Sequence, residues 1–346
     1  MPGLPTALPE PRTVDPRSAP SLRWGILAPG GIGRAFVFAA HTHTDQRVVA
    51  VGSRSAERAQ AFATEYGVAR AHGSYQQLVE DPEVDAIYVA SPVSEHHQHA
   101  LLAIAAGKPV LVEKAFTQNA TQAAAVFAAG AAAGVAVMEA MWSRFLPHYD
   151  VVRQLLADGA LGDLVTLSAD HGQYFDYDPA FRLFAPDLGG GALLDLGIYP
   201  ISFASFVQGT PTAITAIGST AKTGVDGQTS AVLQSDNGLQ ALIHTTLFAK
   251  TPTTASISGA AARIEIPGDF YMPQPIHLLD RRGERRTWDA NPIPRHEGFA
   301  YEIAEFARIV TEGRLEAELL PGSETIAILQ TIDEIRRQVG VTLPGD

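Results

Sequence analysis

Cysteine is absent from the 346 residues of this sequence, and lysine is rare. The absence of thiols excludes disulfide bridges, thiolate metal ligands, iron–sulfur clusters and a cysteine nucleophile. It is compatible with either redox environment. The lysines are Lys108, Lys114, Lys222 and Lys250. Acid–base chemistry therefore falls to tyrosine, lysine, aspartate, glutamate or histidine side chains.

Positive charge is also scarce, with 25 Lys+Arg against 37 Asp+Glu and a formal net charge of −12. A general binder of nucleic acid or of anionic membranes needs a basic surface, so this balance excludes both classes. The expected partners are small molecules and further copies of the same chain.

Long hydrophobic runs are missing as well. Residues 122–138 form an alanine-rich apolar stretch, but Gly130 and Gly134 interrupt it and it is shorter than the roughly 20 residues that a bilayer requires. A core helix followed by a strand is the better interpretation. Residues 1–21 contain six prolines and no apolar run, which indicates a disordered or loosely draped arm rather than a secretory signal. We therefore expect a soluble, cytoplasmic protein.

From Leu22 to about Glu139, short β-branched runs alternate with helical stretches. A helix is expected from about Ile32, and another over Ser55–Tyr66 with Ser55 as its N-cap. Strands are predicted at Arg23–Leu27, Arg47–Gly52, Asp85–Ala90, Val110–Glu113 and Val135–Met138. Strands that alternate with helices indicate βαβ units and a parallel sheet.

The alternation of strands and helices ends at about Leu164. From there on, the sequence predicts successive strands that are separated by turns. These strands are predicted at Leu164–Tyr174, Ala213–Thr220, Ser230–Gln234, Gln240–Phe248 and Thr254–Ile266. At about 100–200 residues per domain, the length predicts two domains. The first, residues 22–143, is a Rossmann-type doubly wound parallel sheet of the α/β class. The second, residues 144–346, is an α+β domain with a large, mostly antiparallel open sheet.

A glycine-rich turn between the first strand and the first helix matches the dinucleotide fingerprint as Ala28-x-Gly30-x-x-Gly33, with alanine at the first glycine position. Gly30 lets the backbone approach a pyrophosphate, and Gly33 lets the helix pack closely on the strand. The helix N-terminus favours anions. Ala28 precedes a proline, which predicts an extended conformation that needs no glycine.

The end of the second strand predicts which cofactor binds. Ser53 lies 20 residues after Gly33, at the position where an Asp or Glu would bind the ribose 2′-hydroxyl of NAD. A hydroxyl and the Arg54 guanidinium suit a 2′-phosphate instead. We therefore predict NADP as the cofactor, with NAD as the alternative.

Three further motifs contain polar side chains that could bind a ligand or react with it. Glu113 and Lys114 stand at the carboxyl end of a predicted parallel strand, where ligands bind in open α/β sheets. The run Gly189-Gly-Gly-Ala-Leu-Leu-Asp195-Leu-Gly-Ile-Tyr199 is a glycine-rich loop entering a helix, so Asp195 and Tyr199 share one helix face. The segment Ser91-Pro-Val-Ser-Glu-His96 follows the third predicted strand.

Taken together, these motifs resemble the glucose-fructose oxidoreductase/inositol dehydrogenase/MocA family. The run from Glu139 through Trp142 and Arg144 to Pro147, with Tyr199 where many members have histidine, is most similar to its dimeric dihydrodiol dehydrogenase and NADP-dependent xylose dehydrogenase branch. The resemblance extends from about Leu22 to the end of the chain. It implies an oxidoreductase that moves a hydride between NAD(P) and a hydroxyl or carbonyl carbon of a sugar, polyol or trans-dihydrodiol.

The resemblance also implies residue roles. Lys114 matches the family's essential lysine, Tyr199 its general acid/base and Asp195 the aspartate that orients the substrate hydroxyl. The ordinary pKa of tyrosine is about 10, which is too high for a base at neutral pH. A neighbouring ammonium group lowers this pKa because it favours the phenolate form. The expected cofactor contacts are Ala28, Gly30, Gly31, Ile32, Gly33, Ser53, Arg54, Ser91, His96, Glu113 and Lys114. Trp142 and Arg144 are candidate substrate contacts.

One position departs from the family pattern. The family usually has Glu-Lys-Pro with a cis peptide bond before the proline, whereas this chain has Ala115 as the third residue. The neighbouring histidine-rich run offers at most His96 and His99 on one helix face, so no metal site is predicted.

Two alternatives stay open. A catalytically silent NAD(P)-binding sensor would keep the fold, although intact Lys114, Asp195 and Tyr199 argue against it. A reductase of nucleotide sugars would need an additional basic patch. A large sheet needs both faces covered, which together with the resemblance predicts a homodimer or a higher homo-oligomer.

Overall fold

The computed structural model describes residues 4–346. Within them the strands are β1 (Arg23–Leu27), β2 (Arg47–Gly52), β3 (Arg70–His72), β4 (Ala86–Val89), β5 (Val110–Glu113), β6 (Val137–Ala140), β7 (Leu164–Gly172), β8 (Ala213–Thr220), β9 (Asp226–Gln234), β10 (Gln240–Thr246), β11 (Ala255–Gly259), β12 (Ala262–Ile266), β13 (Ile276–Asp280) and β14 (Arg285–Trp288). The α-helices are α1 (Gly31–His43), α2 (Ala56–Tyr66), α3 (Tyr75–Val79), α4 (Val93–Ala105), α5 (Ala120–Ala133), α6 (Pro147–Ala157), α7 (Ile198–Gln208), α8 (Phe299–Thr311) and α9 (Gly322–Val339).

The strands form two sheets, as the sequence predicts. The first has six parallel strands in the order β3-β2-β1-β4-β5-β6. The second has eight strands in the order β14-β13-β12-β11-β7-β10-β9-β8 and is antiparallel except where β10 pairs with β7. The predicted fold class is therefore confirmed: a Rossmann-type doubly wound sheet followed by an α+β part with a large open sheet.

The chain divides into two compact units that are discontinuous in sequence. The six-stranded unit comprises Val14–Phe145 and Arg295–Ile326. The eight-stranded unit comprises Leu146–Pro294, Ala327–Asp346 and the described part of Met1–Thr13. Residues 295–326, which the sequence prediction assigns to the second domain, pack with the six-stranded unit.

Aromatic rings fill the core of the six-stranded unit. Phe36 of α1 stacks on Tyr88 of β4 with 4.0 Å between ring centroids, and its edge meets Trp24 of β1 at 5.2 Å. Phe306 of α8 covers Trp24 from the other side at 5.5 Å. Because α1 and α8 both bury rings against β1 and β4, the turn that enters α1 has a rigid base.

Helix α7 and the segment before it cover one face of the eight-stranded sheet. The helical stretch Pro186–Gln208, which includes α7, is long and apolar enough to cross a membrane by composition alone, yet 78% of its most apolar window is buried inside the protein. It is therefore a core element of this unit. Phe203 of α7 packs edge-on against Phe270 at 5.5 Å.

The other face of the eight-stranded sheet is open. Ile217, Val232 and Leu242 are 74%, 39% and 49% exposed on it. Val232 and Leu242 are cross-strand partners in the β9–β10 pairing. A face of this kind is an exposed apolar patch on an otherwise well-packed sheet.

The described N-terminal residues contain a single 3₁₀ turn, Pro16–Ser18, and otherwise lack regular structure up to β1. Arg12 donates to both carboxylate oxygens of Asp150, with Nη2 to Oδ1 at 3.0 Å. Leu8 and Ala19 are buried. The segment between residues 4 and 21 is therefore attached to the folded chain by specific contacts.

Candidate active site

The turn between β1 and α1 has the shape that a bound pyrophosphate requires. Helix α1 starts at Gly31, and its N-cap Gly30 provides no side-chain hydrogen bond to the first turn. A Cβ atom added at Gly30 or Gly31 would meet nothing within 4 Å, so both glycines border open space. At Gly33 an added Cβ would lie 3.3 Å from Cγ2 of Ile26, which reflects close packing of helix on strand. These features fit a dinucleotide on the helix N-terminus.

The predicted extended conformation of Ala28 is wrong. Ala28 has a φ of +64°, in the region that favours glycine. Its N–H donates to the carbonyl of Gly52 at 3.0 Å, which ties the end of β1 to the end of β2. The chain needs this turn to leave the sheet, and that requirement overrides the preference of a residue before proline.

Polar groups cluster after β2 and β4. Ser53 is buried, and its N–H donates to the carbonyl of His72 at 3.1 Å. Arg54 is exposed and lies near Tyr75 and His99. Burial and, to a smaller extent, the Arg54 charge lower the pKa of His99 to about 4. The Arg54 guanidinium is thus a cationic group near the end of β2.

Both ring nitrogens of His96 contact main-chain carbonyls. Nδ1 lies 2.9 Å from the oxygen of Ala115, and Nε2 lies 2.7 Å from the oxygen of Ser91. His99 occupies the same corner, with its Nδ1 2.9 Å from Oγ of Ser91. Burial lowers the pKa of His96 to about 4, although the two carbonyls raise it. His96 therefore links the loop after β4 to the loop after β5, and a direct cofactor contact by His96 or Ser91 stays a prediction.

Glu113 is the last residue of β5, and Lys114 follows it directly. One carboxylate oxygen of Glu113 accepts the hydroxyl of Tyr88, and the other accepts the N–H of Lys114 at 3.2 Å. The peptide bond between Lys114 and Ala115 is cis.

Two buried glutamates that the sequence analysis overlooked lie near Glu113. Glu139 accepts hydrogen bonds from the N–H of Phe116 and from the hydroxyl of Thr325, and burial raises its pKa to about 7. Glu302 is 1% exposed, and burial together with the neighbouring Glu113 and Glu139 raises its pKa well above its ordinary value. Nothing in the sequence marks these residues, because their partners come from distant segments.

Trp142 and Arg144 lie inside the six-stranded unit. Trp142 is 1% exposed and packs against Phe299, with ring centroids 4.6 Å apart. Arg144 is 3% exposed and donates to Glu324 at 2.8 Å and to the carbonyl of Leu319 at 3.1 Å. These contacts hold segments of the unit together, and a substrate contact by either residue stays a prediction.

In the eight-stranded unit, Asp195 and Tyr199 lie on one continuous helical segment. A π-helical turn, Leu193–Gly197, carries Asp195 and runs directly into α7, which carries Tyr199. Such turns recur at functional sites. The Tyr199 ring is 7% exposed and stacks on Tyr271 at 4.3 Å, with His171 at 5.5 Å. This packing restricts the orientation of the phenol.

Arg182 holds the Asp195 carboxylate at both oxygens, with Nη1 to Oδ1 at 3.0 Å and Nη2 to Oδ2 at 3.2 Å. Asp226, the first residue of β9, accepts a hydrogen bond at 2.6 Å from the N–H of Leu193, the first residue of the same helical segment. The sequence analysis included neither Arg182 nor Asp226 among the predicted site residues. Among the described residues, no His, Asp and Glu side chains are grouped in threes so as to hold a metal ion.

The parallel sheet order, the open glycine turn and the polar strand ends define a dinucleotide-binding α/β oxidoreductase. Residues 22–141 match the oxidoreductase family with an NAD-binding Rossmann fold, and residues 149–266 match the GFO/IDH/MocA C-terminal domain. The chain belongs to the GFO/IDH/MocA family of oxidoreductases, as the sequence motifs predict.

Curated relatives and solved structures agree with this assignment. The trans-1,2-dihydrobenzene-1,2-diol dehydrogenase of Xenopus tropicalis is 34% identical over 93% of this chain and 99% of its own length, and the human enzyme of that name is 32% identical over 94% and 99%. A 3-ketoreductase from Actinomadura kijaniata, solved with NADP and TDP-benzene, is 26% identical with a TM-score of 0.81 over 92% of this chain and 98% of that one. The aldose-aldose oxidoreductase of Caulobacter crescentus, complexed with glycerol, is 26% identical with a TM-score of 0.82 over 93% and 98%.

Proposed function

We propose that this chain is an NADP-dependent oxidoreductase that acts on a hydroxyl or carbonyl carbon of a sugar, polyol or trans-dihydrodiol. The observation that carries the proposal is the placement of Asp195 and Tyr199 on one helical segment, with the Asp195 carboxylate held by Arg182 and the Tyr199 ring held by Tyr271. A fixed carboxylate beside a fixed phenol suits the handling of an alcohol proton.

In this mechanism the Oη atom of Tyr199 takes the proton of the substrate hydroxyl during oxidation and returns it during reduction. Asp195 accepts a hydrogen bond from a substrate hydroxyl and orients it. The Lys114 ammonium favours the phenolate form of Tyr199. When bound, the nicotinamide supplies the hydride acceptor or donor. The turn at Ala28, Gly30, Gly31, Ile32 and Gly33 would hold its pyrophosphate, with Glu113, Ser91 and His96 as further contacts.

The preference for NADP rests on Ser53 and Arg54. No carboxylate stands at the end of β2 to bind a free 2′-hydroxyl, and the exposed Arg54 guanidinium can pair with a 2′-phosphate. The Actinomadura ketoreductase of the same fold was solved with NADP. The substrate class rests on the names of the relatives, which include diol dehydrogenases and an aldose oxidoreductase.

The test is a screen of aldoses, polyols and trans-diols with NADP⁺, followed by reduced-nicotinamide absorbance. We expect turnover by the wild type and a rate loss on the order of 10²–10⁴-fold in Tyr199→Phe, the scale of general acid–base catalysis. The matched control is Tyr174→Phe, which alters a tyrosine that is 63% exposed. Cofactor binding without turnover across the whole panel would favour the silent sensor instead, and a near wild-type rate in Tyr199→Phe would remove its role.

We further propose that the enzyme is a cytoplasmic homodimer whose interface is the open face of the eight-stranded sheet. The polar side chains on this face bond to one another, with Ser168 Oγ 2.9 Å from Ser256 Oγ and Ser230 Oγ 2.9 Å from His244 Nδ1. The remaining surface is mostly apolar and forms a shallow concavity, which a second copy of the same face can cover.

A further inference from the structure

The ion pair between Arg182 and Asp195 is a two-point contact that faces solvent mainly through the arginine. The side chain of Arg182 is 56% exposed, whereas that of Asp195 is 17% exposed. A guanidinium has five N–H donors, and this pair uses one from each terminal nitrogen, so further N–H groups remain for another acceptor. Each carboxylate oxygen also accepts more than one hydrogen bond. The pair therefore offers donors and acceptors side by side.

The backbone fixes the position of Arg182. Arg182 begins a 3₁₀ turn, Arg182–Phe184. The carbonyl groups of this turn closely approach the glycine-rich loop that precedes the helical segment of Asp195. A Cβ added at Gly190 would lie 2.8 Å from the carbonyl oxygens of Arg182 and Leu183, and the N–H of Gly191 donates to Leu183 at 2.9 Å. The two segments can approach this closely only because Gly190 lacks a side chain. The ion pair is thus preorganised.

Partly exposed aromatic residues lie in the segment that carries Arg182. Phe181, the preceding residue, is 37% exposed and lies 5.7 Å from Phe175, and Tyr177 is 44% exposed and lies 5.2 Å from Phe184. The net charge of the ion pair itself is zero. A ligand that suits this pair is uncharged and carries more than one hydroxyl.

We propose that Arg182 is a specificity-determining residue that selects vicinal diols over simple alcohols. Asp195 accepts a hydrogen bond from the hydroxyl that reacts, and Arg182 donates to the oxygen of the neighbouring hydroxyl. Because the Asp195 charge neutralises the guanidinium, the pair favours neutral diols and gives no advantage to anionic substrates. This inference rests on the proposed function, and it assigns the selection of substrate within that function to one residue.

The test compares trans-cyclohexane-1,2-diol with cyclohexanol as substrates, using NADP⁺ and the wild type, Arg182→Met and Arg182→Lys. For Arg182→Met we expect the KM for the diol to rise about 10- to 100-fold, the scale of a hydrogen bond to a charged group, while its kcat stays within a few fold. The KM for cyclohexanol should rise clearly less, because that substrate loses only the support that Arg182 gives to Asp195 and has no second hydroxyl to lose. Arg182→Lys keeps the positive charge but lacks the planar guanidinium that contacts two oxygens at once. Its KM for the diol should therefore be intermediate between those of the wild type and Arg182→Met.

Arg281→Met is the matched control, because Arg281 is an exposed arginine in the turn after β13. It should leave both substrates unaffected. If the KM values for the diol and for cyclohexanol rise equally in Arg182→Met, the arginine only supports Asp195. That result would overturn this inference but not the proposed function. An unchanged KM for the diol in Arg182→Met would also overturn this inference and leave the proposed function standing. If Arg182→Met does not fold by circular dichroism, Arg182→Lys decides by the same comparison. Failure of the wild type to oxidise any alcohol would overturn the proposed function and the inference with it.

Discussion

The carboxylate of Asp226 accepts the N–H of Leu193, the first residue of the turn that carries Asp195, at 2.6 Å. Gly191 makes this possible: it has a φ of +122°, and an added Cβ would lie 2.2 Å from Oδ1 of Asp226. Asp226 is 2% exposed, and burial raises its pKa to about 7. The start of the proposed catalytic segment is therefore anchored by a titratable group.

Asp226→Asn should keep most of the activity and change the pH dependence of stability. Asparagine can still accept the Leu193 N–H but cannot ionise. The folded pKa of Asp226, about 7, is above its ordinary 3.8, so its stabilising contribution is present below about pH 4 and is lost as pH rises through 7. Relative to the wild type, the variant should gain unfolding free energy between pH 5 and pH 8, measured by urea denaturation.

Asp226→Ala provides the contrast, because it leaves the Leu193 N–H without this acceptor. We expect a loss of about 1–3 kcal/mol in the free energy of unfolding. Parallel pH profiles for the wild type and Asp226→Asn would show that Asp226 does not titrate in this window.

Ala28→Gly should stabilise the protein. Alanine at a φ of +64° costs about 1–2 kcal/mol, and glycine occupies this region freely, although it loses more chain entropy on folding. We expect a net gain of about 1 kcal/mol in the free energy of unfolding. Ala125→Gly, at an exposed position within α5, is the control and should lose about 1 kcal/mol. A loss of stability in both variants would contradict the interpretation.

The sequence could predict elements whose signals are local. The predicted bounds of β1, β2, β5 and β8 agree with the structure, and Ser55 caps α2 through a hydrogen bond from the N–H of Arg58 at 3.2 Å. Other elements depend on pairing that the sequence does not display. The single strand expected over residues 254–266 is two strands, β11 and β12, and β3, α3, β13 and β14 were not predicted. Short strands form because a neighbouring strand supplies their hydrogen bonds.

The same distinction holds for the site. Gly30 and Gly33 follow from one local fingerprint, and their surroundings in the structure fit it. Arg182 and Asp226 reach the segment of Asp195 from 13 residues before it and from β9, so only the folded chain brings them together. The pairing of Lys114 with Tyr199 stays a prediction that rests on the family resemblance.

His96→Gln should destabilise the protein and alter its response to acid. The buried ring of His96 reaches the carbonyls of Ser91 and Ala115, and glutamine cannot occupy the same bridge. We expect a loss of about 1–3 kcal/mol at pH 7. The folded pKa of His96 is about 4, below its ordinary 6.5, so its contribution is lost as pH falls from 6.5 through 4.

The wild type should therefore lose more unfolding free energy between pH 7 and pH 5 than His96→Gln does. His97→Gln, on the same helix at a less buried position, is the control and should resemble the wild type. An equal slope in the wild type and His96→Gln would contradict the assigned titration.

Arg54→Ala should reduce the use of NADP without affecting the use of NAD. If the guanidinium pairs with the 2′-phosphate, its removal should lower kcat/KM for NADP about 10- to 100-fold. Arg47→Ala, which alters an exposed arginine at the first residue of β2, is the control. Equal efficiencies of the wild type with the two cofactors, or an equal loss with both in Arg54→Ala, would remove the proposed selectivity.

Val232→Asp should convert the proposed dimer into monomers. Val232 faces Leu242 and Thr215 across the strands of the open face, so a carboxylate there would be buried against a second copy without a partner. Leu315→Asp is the control, because Leu315 is also an exposed apolar residue, 42% exposed, but lies outside this sheet. Light scattering after size-exclusion chromatography should give a dimer for the wild type and Leu315→Asp and a monomer for Val232→Asp. A dimeric Val232→Asp, or a monomeric wild type, would show that a second copy of this chain does not cover this face.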